Sequence, residues 1–293
     1  MIQLDKVILG DNQFFGINHR SQEKAEEMLK RFGNIDNIFE VYDNAFECGV
    51  NAVMLNSNEK AIAICDRFRA NKSKYGDIAW YPSIPYAYKY ANMVNELGIF
   101  PAINEAIFKG NSAMGVLGMM AKGVSVAVNK DALKMMEMLI DVEYKMFRDL
   151  NVKVFFLQNI MTDLILGYGI KEIFEHFSEY LRKKYKVTPG FVTLNMPYLK
   201  SKFEEWGIED VVICSSINAA GFNMHPSKEE YDKVIAANDP SKYQLMAMNV
   251  LASGSITVKE SFDYINSLNI QSVVFGASSK NHIQSTVDAI KIK

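Results

Sequence analysis

Eight short apolar runs, nearly all followed by a stretch of helical period, constrain this chain more than any other feature. They cover residues 6–15, 51–57, 78–84, 152–159, 190–196, 210–217, 243–251 and 271–276. Most are continuous rather than alternating, as expected of parallel strands buried on both faces. Amphipathic stretches lie between them, among them residues 22–32, 60–70, 170–186 and 228–237. Eight such alternations in 293 residues predict an α/β fold, a (β/α)8 TIM barrel, in preference to an open doubly wound sheet. The third connection is far longer than one helix. Residues 87–150 are expected to form a mostly helical insertion, a cap or an oligomer contact, within a single domain spanning 1–293.

Composition narrows the classes of partner. A formal charge of −2 and the lack of any long Lys/Arg run exclude a basic field for nucleic acid. Three widely spaced cysteines, Cys48, Cys65 and Cys214, form no CxxC or Cys/His cluster, so neither a disulfide framework nor a zinc site is expected. No pair of histidines has metal-ligand spacing. The amino terminus lacks a cationic segment followed by an apolar one, which predicts a cytoplasmic protein. Residues 112–129 are mostly apolar, but Lys122 interrupts them and Gly115, Gly118 and Gly123 weaken a lipid-facing helix. No membrane span is expected there. The expected partner is a small-molecule ligand, with a homo-oligomer through the insertion as the other contact.

Barrel enzymes carry their sites at the carboxyl ends of the strands. Read there, the chain offers mostly amides and hydroxyls: Asn12 and Gln13 after strand one, Asn56 after strand two, Gln158 and Asn159 after strand four. Asn195 and Tyr198, Ser215 and Asn249 follow strands five, six and seven. These groups suit the orientation of a polar substrate, although Asn or Ser after a strand also serves as a turn residue or helix cap. Asp11 is the only carboxylate inside a strand end and needs a partner or a proton-transfer role. Asp11, His19 and Gln158 are the catalytic candidates. Ser253 and Gly254 after strand seven, with Gly276, Ser278, Ser279 and Lys280 after strand eight, offer small residues and a helix start to a phosphate.

Val7-Ile8-Leu9-Gly10 through Phe15-Gly16, Ala45–Val50, Phe147–Gln158, Asn249–Gly254 and Ser272–Ser279 with Asn281-His282-Ile283 together resemble the aldo/keto reductases. The resemblance implies a TIM barrel and, at residues 272–279, a seat for the phosphate of a dinucleotide such as NADP. It does not carry over that family's catalytic groups. Met54 stands where the Asp would be, and residues 56–59 contain no Tyr. Tyr81 and Pro82 occupy the place of the Lys, and Gln158 that of the His. Three readings follow. One is a barrel enzyme acting on a small polar, phosphate-bearing or dinucleotide-assisted substrate. Another is an NAD(P)-dependent reductase with a relocated donor such as Tyr81, Tyr86 or Tyr198. The third is a non-catalytic relative that binds a ligand or partner.

Overall fold

The computed structural model describes residues 2–16, 22–76, 78–85 and 130–292. Eight parallel strands close into a barrel: β1 (Val7–Leu9), β2 (Ala52–Asn56), β3 (Ala79–Ile84), β4 (Val154–Leu157), β5 (Thr188–Thr193), β6 (Val211–Ser216), β7 (Tyr243–Met248) and β8 (Ser272–Phe275). Each pairs with the next, and β8 returns to β1 through Val7↔Val273, Ile8↔Val274 and Leu9↔Phe275. The expected α/β barrel is the observed one. The strands are shorter than the apolar runs. Residues 12–15 leave the first run as a 3-10 turn, Asn12–Phe15, because Gly16 closes it with a left-handed φ of 63°.

Alternation along the strands sorts the apolar side chains into two cores. Ile8, Met54, Tyr81, Phe156, Val192, Cys214, Met246 and Val274 fill the barrel interior. Leu9, Val53, Trp80, Phe155, Phe191, Ile213 and Val273 pack outward against the helices. Gly190 faces inward on β5. A Cβ there would run into the Phe156 ring and stand 2.7 Å from Val154 Cγ1, so the glycine makes room for the largest interior ring on β4.

The sequence around β4 contains a register device. Ala79 and Trp80 pair with Asn151 and Val152, whereas Ser83 and Ile84 pair with Phe156 and Leu157. One extra residue is therefore accommodated opposite Tyr81 and Pro82, a β-bulge at Lys153 where proline has no N–H to donate. Beyond the bulge Val154 and Phe156 face the interior, and the same alternation carries Gln158 into the barrel mouth.

Helices cover the outside, several begun by the side chains that sequence rules favour. Asn34 caps Ile35–Glu47, Asn195 caps Met196–Trp206, Ser227 caps Lys228–Ala236 and Ser279 caps Lys280–Ala289. Thr257 and Glu260 form a reciprocal capping box on Val258–Ile265. The stretch 170–186 is a helix only over Lys171–Tyr180 and widens into a π turn, Leu181–Tyr185. Lys130–Tyr144 is the described end of the expected insertion; residues 87–129, including the apolar run, lie outside the described residues. Among the described residues no helix is long and apolar enough to cross a membrane.

Candidate functional site

A cavity of about 490 Å³ opens at the carboxyl ends of the strands. Its rim carries Asp11, Asn12, Gln13, Asn56, Ser83, Gln158, Asn159, Ser216 and Asn249, and Met54, Val192 and Val274 lie one interior position deeper. The rim is polar and the floor apolar, the usual make-up of a small-molecule site.

Asp11 is the electrostatic centre of this rim. Only 3% of its surface is exposed, and its carboxylate accepts two hydrogen bonds from one residue. Asn56 N–H donates to Oδ2 at 2.7 Å and Asn56 Nδ2 to Oδ1 at 2.7 Å. Gln158 Nε2 in turn donates to Asn56 Oδ1 at 3.2 Å. Burial pushes the Asp11 pKa up from 3.8 to about 6, and the Asn56 bonds restrain the rise. Behind Asp11, the buried Tyr42 phenol is raised by burial and by the carboxylate's charge.

Gln13 supports the same turn. Its Nε2 donates to Gly10 O at 2.7 Å, while its buried Oε1 has no partner among the described residues. Gly276 lies against that oxygen: a Cβ at 276 would stand 2.8 Å from it. The glycine after β8 is thus required by a neighbouring side chain of the wall, and not only by a ligand.

The two loops expected to cradle an anion differ. After β7, Asn249, Ala252, Ser253 and Gly254 all have positive φ, at 54°, 47°, 56° and 79°. The amides of the last three are consumed inside the turn: Ala252 N–H donates to Asn249 O, Ser253 N–H to Asn249 Oδ1, and Gly254 N–H to Leu251 O. After β8, the N–H groups of Ala277, Ser278, Ser279 and Lys280 donate to no described residue. Arg31 Nη2 donates to Ser278 O at 3.0 Å, which brings a cation to this loop. Ser253, Gly254 and Gly276 line the cavity; Ser278, Ser279 and Lys280 do not. Lys280 is drawn away to Glu47 on the outer helix.

Other candidates fall elsewhere. Ser215 faces outward, where its hydroxyl donates to Thr193 O at 2.7 Å and meets the Tyr231 hydroxyl at 2.9 Å. Alternation gives the inward place to Ser216. Asn195 Oδ1 accepts from Tyr198 N–H at 3.3 Å as a helix cap, and Tyr198 is 43% exposed on that helix. Tyr81 points to the opposite end of the barrel: its hydroxyl donates to Asp5 Oδ2 at 2.6 Å, beside Lys153 Nζ at 2.8 Å from the same oxygen. His19 and Tyr86 lie outside the described residues. Ser83 and Ser216, at the ends of the third and sixth strands, are rim hydroxyls absent from the sequence candidates. Counting alternate positions back from the rim, Ser83–Tyr81–Ala79 and Ser216–Cys214–Val212, would have found both.

Among the described residues no three His, Cys, Asp or Glu side chains gather as a metal would need. No family model matches the sequence, and no curated protein matches it. Solved structures do match the fold. A Pseudomonas aeruginosa protein assigned to the aldo-keto reductases superposes with a TM-score of 0.60 at 10% identity, covering 98% of this chain and 91% of that one. The holo form of an aldo-keto reductase from Bacillus halodurans gives 0.53 at 12%, covering 98% and 87%. A D-psicose 3-epimerase solved in the presence of D-fructose gives 0.51 at 9%, covering 97% and 90%. At such identities the likeness is one of fold alone, the (β/α)8 barrel that these reductases and the epimerase share.

Proposed function

We propose that this chain is an enzyme whose chemical step passes a proton between Asp11 and a small polar substrate in the barrel mouth. The carrying observation is the Asp11 carboxyl itself, buried at the cavity wall and held by neutral amides, with a proton affinity raised to about pH 6. At neutral pH such a group is roughly nine-tenths ionised, so it accepts a proton readily and still returns it. Asn12, Asn56, Ser83, Gln158, Asn159, Ser216 and Asn249 would orient hydroxyl, carbonyl or amide groups of the substrate.

A phosphate-bearing ligand, NADP among them, belongs to the same reading. The open amides of residues 277–280, the bare Gly276 and the Arg31 guanidinium beside Ser278 fit a phosphate. The β7 loop would supply Ser253 and Gly254 as wall rather than as amide donors, since its N–H groups are taken. When bound, NADP(H) would supply hydride; the chain's own contribution is the proton at Asp11 and the exclusion of water by the apolar floor. Tyr81 is no donor for such a reaction, because its hydroxyl is bound to Asp5 at the far end of the barrel.

Thermal-shift titration with NADP, NADPH and inorganic phosphate tests the ligand, and absorbance at the nicotinamide band with a panel of carbonyl compounds tests the hydride. A rise in Tm with a phosphate ligand is expected. No shift with any of them would remove the anion seat. Asp11→Asn should leave ligand binding intact and lower turnover about 10²- to 10⁴-fold.

A further inference from the structure

Asp11 and Asn56 form more than a single hydrogen bond. Asn56 gives its backbone N–H to one carboxylate oxygen and its side-chain amide to the other, each at 2.7 Å. Two donors from one residue fix the plane of the carboxylate, as a bidentate pair does. The backbone donor is set by the end of β2 and cannot turn round. The side-chain amide can, since rotation by half a turn exchanges its N–H for a carbonyl oxygen. Gln158 ties that rotation to its own, so that the Asn56 amide turns only if the Gln158 amide turns with it. Its Nε2 donates to Asn56 Oδ1 at 3.2 Å, so the Asn56 oxygen must face Gln158 and its Nδ2 must face Asp11.

We infer that Asn56 is a positioning residue that selects the ionised form of Asp11, and that Gln158 acts through it by fixing the direction of its amide. This rests on the proton-transfer role proposed for Asp11. The groups around the carboxyl agree with it. Tyr42, from Ile35–Glu47, is a buried phenol and stays neutral. Cys65, from Ala61–Ala70, neighbours Tyr42 rather than the carboxyl and is likewise buried and raised to about 12. The Lys60 ammonium is engaged by the carbonyls of Phe14 and Phe32 at 3.3 and 2.9 Å. Asn56 therefore supplies the two largest of the hydrogen bonds that oppose burial, ahead of the Asp11 backbone N–H. In the protonated state Asp11 would need an acceptor, which Asn56 offers only if the Asn56 and Gln158 amides both turn over.

The test is the Asp11 pKa, read from the carboxyl carbon resonance of Asp-labelled protein and assigned by its loss in Asp11→Asn. Asn56→Ala keeps the backbone donor and removes the side-chain one; the pKa should rise by about one to two units, the usual worth of one hydrogen bond to a charged group. Gln158→Leu does not touch Asp11, yet should raise its pKa by a few tenths of a unit because the Asn56 amide is then free to turn. Gln158→Glu should act in the same direction, by placing a second carboxylate on the relay. An Asp11 pKa unchanged in Asn56→Ala would falsify the positioning role, whatever the activity. A shifted pKa together with full turnover in Asp11→Asn would leave the clamp standing and overturn the catalytic reading instead.

Discussion

The two ends of the barrel each hold an aspartate, in opposite settings. At the amino end, Asp5 receives the Lys153 ammonium at 2.8 Å and the Tyr81 hydroxyl at 2.6 Å, and Ser272 donates to its carbonyl at 2.6 Å. The side chains of Asp5 and Lys153 keep about a quarter to a third of their surface in water. At the carboxyl end, Asp11 is almost fully buried and its described partners are neutral amides from Asn56. A partly solvated carboxylate with a cation and a phenol holds neighbouring segments of the barrel together. A buried one without a cation has its pKa pushed up to about 6. The same residue type is a staple at one end and, in the proposed reaction, the proton exchanger at the other.

The largest effect that tests this contrast is on turnover. Asp11→Asn should lose about two to four orders of magnitude, whereas neutralising the amino end by Lys153→Met should leave turnover within about twofold of the parent, because in the proposed reaction only Asp11 moves a proton. Comparable losses in both variants would break the distinction between the ends.

Stability gives the next test, and its sign is fixed. The folded state binds the Asp11 proton more tightly than the unfolded chain does, since the pKa is about 6 in one and near 3.8 in the other. Native stability should therefore fall as pH rises from about 4 to about 6, by up to ~3 kcal/mol, and stay reduced above that. Asp11→Asn has no charge to bury, and rotation of the Asn56 and Gln158 amides can restore its hydrogen bonds. It should be more stable than the parent by about 1–3 kcal/mol at pH 8 and equal to it below about pH 4, as read from urea unfolding at each pH. A variant less stable than the parent at pH 8 would show that Asp11 is not held at a cost.

A smaller effect is expected at Gly276, in the mouth but away from the carboxyl. Alanine there pushes on Gln13 Oε1 and, through it, on the turn that follows Asp11. Affinity for a phosphate ligand should fall about tenfold, about 1.4 kcal/mol, with a change in Tm of no more than a few degrees. Equal affinity in a folded Gly276→Ala protein would separate the β8 loop from ligand binding.

These contrasts were legible in the sequence to different depths. The barrel was, because eight apolar runs with helical spacers admit few other closed arrangements, and Asp11 stood out as a carboxylate at a strand end. What hides from sequence is facing. Ser215 and Ser216 are adjacent and alike, yet only the second lines the cavity; Tyr81 lies on an inward position but its long side chain reaches down, not up. The bulge at Lys153 changes the parity of β4 and so decides that Gln158 points inward, and it shows only in the register with the neighbouring β3, where the pairing skips Tyr81 and Pro82. The β7 loop misled for another reason: a small-residue loop looks open to an anion until its own left-handed turn is seen to consume its amides.

The smallest effect belongs to the amino end. Tyr81→Phe removes a hydroxyl that donates to Asp5 Oδ2 and accepts from the Asp5 N–H at 3.0 Å. The ring stays, so the barrel interior keeps its packing and no cavity forms. Lys153 still neutralises Asp5, and the partly solvated carboxylate can recover a bond from water. One charge-assisted and one ordinary hydrogen bond are lost against that compensation, so the expected destabilisation is about 1–2 kcal/mol. Because the phenol does not face the cavity, nicotinamide-band activity and the Tm rise with phosphate ligands should both match the parent. A Tyr81→Phe protein that folds with unchanged stability but loses activity would place this tyrosine in the chemistry, and with it the site at the wrong end of the barrel.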